Sequence, residues 1–178
     1  RNPSFQLACA HRLAEDLETA AAMLGETPPP VCAQILAKLP KAALVPEGHR
    51  AVIALWEGLK LPESHRHHSH LAAIAPFDAI DCESPEWAEI VEASLTNWIF
   101  HGPGLWSGWC VPWASMIHTR VGNAAMAEMW LEIWERFFTN RGHGTLHDAG
   151  AAGISLMGMN AVESRKRPGA EIMQLDGG

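Results

Sequence analysis

The sequence predicts an all-α fold. Three observations predict it. Apolar residues recur at three- and four-residue intervals in successive stretches, Gly and Pro punctuate those stretches, and no alternation of apolar and polar residues runs beyond a few positions. Short connections between successive amphipathic helices imply antiparallel helix hairpins, gathered in a bundle or a toroid.

The first helix runs from Pro3 to Leu24. Leu7, Ala10, Leu13, Leu17, Ala20, Ala21 and Leu24 mark its expected buried stripe, and Gly25 ends it. Thr27 and three prolines restart a short helix through Val31, Ile35 and Leu36 to Leu39, because Pro suits a first helical turn. Residues 40–48 form a connector, and Ala51 to Leu59 is expected as a short helix or ordered segment leading to Pro62. A buried helix is expected from His67 to Ala75, stopped at Pro76. Ser84-Pro85-Glu86 has the residues of a helix start, a cap, a Pro and an acid in the first turn, and that helix runs to about Phe100. Gly102-Pro103-Gly104 breaks it. A helix from Trp106 to Val121, a Gly122-Asn123 turn and a helix from Ala124 to Phe138 follow, and the tail from Asn140 is Gly-rich and irregular.

Composition narrows the function classes. The 178 residues suffice for one domain with a substantial core, and a net charge of −7 argues against nucleic acid or an anionic membrane surface as partner. No stretch approaches the apolar length of a membrane helix. The one basic run, Arg165-Lys166-Arg167, reads as a solvated loop beside Pro168. Cys9, Cys32, Cys82 and Cys110 form no CxxC pair and read as small buried hydrophobes, which leaves the redox compartment open. Eight Trp against no Tyr supply flat apolar faces suited to core filling and to stacking on sugars. The chain lacks an initiator Met and stops at Asp176-Gly177-Gly178, within what reads as a motif, so an internal fragment of a longer protein is expected.

The chemistry concentrates at His65-Arg66-His67-His68-Ser69-His70-Leu71. Burying four imidazoles and a guanidinium without partners is unfavourable, so such a cluster serves a polar ligand, a metal or an internal hydrogen-bond network. Zinc needs three or four ligands with fixed outer partners. His67 with His70, and His143 with His147, have usable helical spacings, but neither pair carries the acid of a HExxH pattern, so no metal site is assigned. For one histidine the satisfied-core reading usually wins, and it weakens for four beside an arginine. Trp106, Trp109 and Trp113 are spaced for one helical face; Trp113 reads as core, Trp106 and Trp109 as pocket wall, and Trp130 and Trp134 as packing. Asp176 stands between Leu175 and two glycines, a setting for a pocket floor and equally for a turn. Glu57 is a pairing candidate for Arg66 and equally a surface acid.

The order of these motifs resembles glycoside hydrolase family 95, the inverting α-L-fucosidases. The matching runs are His65-Arg66-His67-x-Ser69-His70-Leu71 with Pro76 after it, Ser107-Gly108-Trp109-x-x-x-Trp113, Arg120-Val121-Gly122-Asn123 before an Ala-rich helix, and Gln174-x-Asp176-Gly177. Residues 1–39 resemble the helix pair that precedes the His motif there. The resemblance implies a single partial catalytic domain over 1–178, part of an (α/α)6 barrel. Seven or so helices cannot close a toroid that needs about twelve, so the fragment alone is expected to be inactive and to expose an apolar edge to the rest of its barrel and to flanking domains.

Carried over by position, Asp176 is the general base that activates water, Arg66, His67 and His70 line the fucose pocket, and Trp109 walls it. The resemblance implies an oligosaccharide or glycan substrate, no cofactor, and an extracellular or periplasmic setting. The family's general acid, a glutamate in a Ser-Pro-Glu motif, belongs ahead of the first helix here, and Glu86 does not occupy its place. The family's Asp-Gly-Asn is Asp176-Gly177-Gly178 in this chain, and its Gln-x-Glu-Trp is Ile53-Ala54-Leu55-Trp56. Three other readings stand beside this one: a related helical-barrel hydrolase or lyase acting on another deoxy or uronic sugar, a sugar-binding or scaffold relative without catalysis, and a metal-dependent hydrolase using the His65–His70 cluster.

Overall fold

The computed structural model describes residues 2–139. Its helices are α1 (Ser4–Leu24), α2 (Pro30–Lys38), α3 (Ala88–His101), α4 (Cys110–Arg120) and α5 (Ala124–Phe138), with one small hairpin, β1 (Leu44–Glu47) and β2 (Arg50–Ile53). The fold is mostly helical, as the periodicity predicts. The described residues divide into two compact units, one of 2–62 with Ser69–Asn97, the other of Glu63–His68 with 98–139.

In the first unit α1 ends in a Schellman arrangement. Gly25 takes φ 70, its N–H reaches Ala22 O, and the Glu26 N–H reaches Ala21 O. The buried face of α1 is Ser4, Leu7, Ala8, His11, Ala14 and Ala21. Leu13, Leu17 and Leu24 are exposed, which corrects the expected stripe: the helix is turned so that a small-residue face lies inward, anchored by polar contacts. His11 Nε2 meets Leu39 O at 2.9 Å, where α2 ends. The fully buried Ser4 hydroxyl accepts from Ala43 N at 2.9 Å and donates to Ala54 O at 2.6 Å, so one side chain ties α1 to the residues flanking both strands.

The hairpin takes the place of the connector, and the segment expected as a short helix or ordered stretch from Ala51 is ordered but not helical. β1 and β2 pair antiparallel with Leu44 opposite Ile53 and Glu47 opposite Arg50, leaving Gly48 and His49 as a two-residue loop. Gly48 has φ 62 and His49 has no positive φ, the signature of a type II′ turn. The strands are too short to announce themselves, and Pro46 reads as a break in sequence although it is tolerated on an edge strand. The Ser94 hydroxyl accepts from Ile53 N at 2.8 Å, holding β2 to α3.

The expected helix from His67 to Ala75 is a single 3-10 turn, Ser69–Leu71, followed by further turns. Leu71 to Ala75 are fully buried, and their backbone is satisfied locally: Ile74 N and Ala75 N reach Leu71 O, and Ala79 N and Ile80 N reach Ala73 O. Pro76 has no N–H to continue a helical ladder, so the wide turn takes over the buried carbonyls. α3 starts at Ala88 rather than at the Ser84 cap. The Ser84 hydroxyl donates back to Asp81 O, while Ser84 O accepts from Ala88 N in a lead-in turn.

In the second unit α4 starts at Cys110, not at Trp106. Pro112 explains the shift: it fits a first turn, where N–H groups are unpaired anyway, but would break a helix begun six residues earlier. Val121 closes α4, Gly122 takes φ 73, and the Asn123 side chain accepts from Met126 N at 3.1 Å to cap α5. The Ser115 hydroxyl donates to Ala127 O at 2.8 Å across this helix hairpin. Cys32 and Cys110 are buried as expected, whereas Cys9 is exposed on α1. Among the described residues no helix is long and apolar enough to cross a membrane.

Candidate functional site

The second unit gathers Arg66, His67 and Trp109, and it does so around a histidine that sequence reasoning passed over. His68 is fully buried. Its Nδ1 accepts the indole N–H of Trp98 at 3.2 Å, which leaves the ring proton on Nε2, and Nε2 donates to Cys110 O at 3.0 Å. The His68 ring lies edge-on to Trp98 and Trp106, with centroids 4.9 and 4.5 Å away, and 5.5 Å from Trp113. Trp98 and Trp106 stack at 5.0 Å and 17°, and Trp106 meets Trp130 at 4.7 Å. Trp106 is therefore core, not pocket wall. Its expected role rested on a helix that begins later.

One step outward the cluster meets solvent. Trp109 precedes the first residue of α4, 36% exposed, with one side against Trp113 at 5.3 Å. The half-buried His67 ring stands edge-on to it at 5.1 Å and 64°. His65 and Arg66 are exposed. The His65 Nδ1 accepts the His67 backbone N–H at 3.0 Å, and the two rings are 5.1 Å apart. Burial, then the positive charges of His65 and Arg66, hold the His67 imidazolium below its ordinary range. The result is a ledge with an aromatic face and nitrogen donors at its rim, suited to a ligand with both C–H faces and hydroxyls.

Ser64 fixes the loop before that ledge. Its hydroxyl donates to Gly102 O at 2.7 Å and accepts from Leu105 N at 3.1 Å. Within the loop, Gly102 takes φ 67. Ser64 and Trp98 do not stand out by type, and His68 stands out only as one member of the histidine cluster. The usable signal was position: Ser64 and His68 flank His65-Arg66-His67, and Trp98 stands four residues before Gly102-Pro103-Gly104.

His70, the remaining pocket candidate, is buried in the first unit. Asp176, the candidate base, and the pair His143 and His147 lie outside the described residues. Among the described residues, no group of three or more His, Cys, Asp or Glu side chains is placed to hold a metal ion.

His118 is a further buried imidazole of this unit, on α4, with its ring 5.6 Å from Trp98 and neither nitrogen hydrogen-bonded. Burial alone pushes its protonation below the ordinary histidine range.

Comparison with known families matches residues 2–153 to the glycosyl hydrolase family 95 catalytic domain. That span includes the His cluster, the Trp109 ledge and every described helix. No curated protein matches the chain.

Proposed function

The chain belongs to glycosyl hydrolase family 95, and from that membership we propose that it removes a terminal α-L-fucose, or a closely similar sugar, from an oligosaccharide with inversion at the anomeric carbon. Membership in this catalytic-domain family makes it a glycoside hydrolase; the sugar, the stereochemistry and the residue roles are our reading. The 178 residues are taken as part of a larger (α/α)6 barrel.

In this reading Asp176 is the general base. It takes a proton from water, whose oxygen attacks the anomeric carbon from the face opposite the leaving group. The glycosidic C–O bond breaks as the new one forms, and a carboxylic acid on the far side protonates the departing oxygen. Base and acid in such enzymes stand about 6.5–9.5 Å apart to admit the water. The family resemblance assigns the acid to sequence ahead of α1. Leu175 and the glycines beside Asp176 suit the floor of a close-fitting pocket. Arg66 and His67 bind the sugar's hydroxyls, and the Trp109 face stacks on its C–H surface.

The observation that carries the reading is the family match across the segment in which His67 and Trp109 stand edge to face. The test uses the full-length protein and its Asp176→Asn variant with a 2-linked fucosyl oligosaccharide, following the released anomer by proton NMR. Prompt release of β-fucose, abolished in the variant, is the expected result. First-formed α-fucose would overturn inversion, and no release would move the reading to another sugar or to a binding-only protein.

A further inference from the structure

Arg66 differs from other arginines of the described chain. Arg12, Arg50 and Arg136 each lie within ion-pair distance of a carboxylate: Asp16 for the first, Glu89 and Glu92 for the second, Glu132 for the third. Such pairing is unsurprising in a chain with 20 acidic residues against 13 Lys and Arg. Arg66 makes no ion pair among the described residues of its unit, although Glu63 is only three positions away. On either side of it stand His65, exposed, and His67, half-buried. The rings of these two are 5.1 Å apart, and no described carboxylate offsets the positive charges acting on His67.

From this placement we propose that His65, Arg66 and His67 form an anion subsite, which takes an oxyanion substituent, a sulfate ester or a carboxylate, on a sugar stacked at Trp109. The proposal rests on the glycoside hydrolase reading and adds a class of substrate to it. The guanidinium offers a planar fork of donors that matches two oxygens of such a group. The His65 Nδ1 is occupied by the His67 backbone N–H, so in the neutral ring Nε2 carries the proton and is free to donate. The His67 ring bridges the subsite to the ledge, standing 5.1 Å from Trp109. A protein with net charge −7 repels an anionic glycan at long range. A guanidinium without an ion-pair partner, flanked by ring N–H donors, is what lets such a ligand settle.

The test measures dissociation constants by calorimetry on the full chain for matched pairs of sugars. One pair is methyl α-L-fucopyranoside and its monosulfates; the other is methyl α-D-glucoside and methyl α-D-glucuronide. Inorganic sulfate is titrated alone. The expected result is that one anionic sugar binds about tenfold tighter than its neutral parent at low salt, with the ratio shrinking at about 0.3 M salt. The pair that shows the preference identifies the sulfate or the carboxylate as the substituent. In Arg66→Gln the ratio falls to about one, and Arg66→Lys restores part of it. Equal binding of charged and neutral sugars would overturn the anion subsite while leaving the carbohydrate reading intact. Inorganic sulfate binding as tightly as the sulfated sugar would overturn it too, by showing a bare anion site. Binding of no sugar at all would overturn both readings.

Discussion

His68 holds Trp98 through its unprotonated nitrogen: the indole N–H donates to Nδ1 at 3.2 Å while the opposite nitrogen donates to Cys110 O at 3.0 Å. One buried ring thus fixes the indole that stacks on Trp106 and also the first carbonyl of α4. Replacing His68 with Leu keeps the volume but leaves the buried Trp98 N–H without its acceptor and takes one donor from Cys110 O. An unsatisfied buried donor costs about 1–3 kcal/mol, so urea unfolding of His68→Leu should show a loss of about 1–3 kcal/mol. A loss below about 1 kcal/mol would mean that the two bonds do not hold the unit together.

His118 makes stability depend on pH. Its ring is buried against Trp98 with neither nitrogen bonded, and burial lowers its affinity for a proton. The unfolded chain therefore binds the proton more readily, near its ordinary pKa of about 6.5. Stability contributed by the neutral ring is complete above that pH. It is lost as pH falls below it, by at most about 1.4 kcal/mol per pH unit for one group. His67 shifts in the same direction but lies closer to solvent and adds less. Midpoints of urea unfolding between pH 5 and 7.5 should fall with acid in the native protein and flatten in His118→Met. An unchanged slope in the variant would assign the acid sensitivity elsewhere.

Where side chains alone decide an element, the sequence was informative. α1, α2 and α5 match the expected helices closely because their ends carry their own signals: Gly25 in the left-handed region, Pro at the start of α2, and Asn123 capping Met126. Elements decided by tertiary contacts were not legible. β2 depends on a hydroxyl from Ser94, 41 positions away, and the turns after Leu71 depend on which buried carbonyls need partners. The candidate site divides the same way. His65-Arg66-His67 and Trp109 stand out by type and spacing, whereas Ser64, His68 and Trp98 matter only through partners 30 to 42 positions away. Trp106 shows the hazard of a helical wheel drawn across a segment that Pro112 prevents from being helical.

Ser4 gives the first unit its most concentrated polar contact. Its hydroxyl bonds Ala43 N and Ala54 O, residues 39 and 50 positions away, inside a fully buried site. Ser4→Ala leaves both backbone groups without that partner and should lower stability by about 2–3 kcal/mol. Hydrogen exchange offers a local check, since the Ala43 amide should lose protection disproportionately. Protection lost evenly across the unit would argue against a specific role for the hydroxyl.

Trp109 and Trp113 are four residues apart, yet they should fail in opposite ways. Trp113 is 9% exposed and packs against both His68 and Trp109, so Trp113→Ala opens a cavity and should cost about 3–5 kcal/mol of stability. Trp109 is 36% exposed, with the edge of His67 on it. Trp109→Ala removes little buried surface and should change stability by less than about 1 kcal/mol. If a sugar stacks there, the same change should raise KM about tenfold, the loss of one stacking contact of about 1–1.5 kcal/mol, with a smaller effect on kcat. The two variants thus separate ledge from core within a single turn of helix. A Trp109→Ala protein that unfolds more readily but keeps its KM would make Trp109 part of the core and remove the aromatic half of the proposed site.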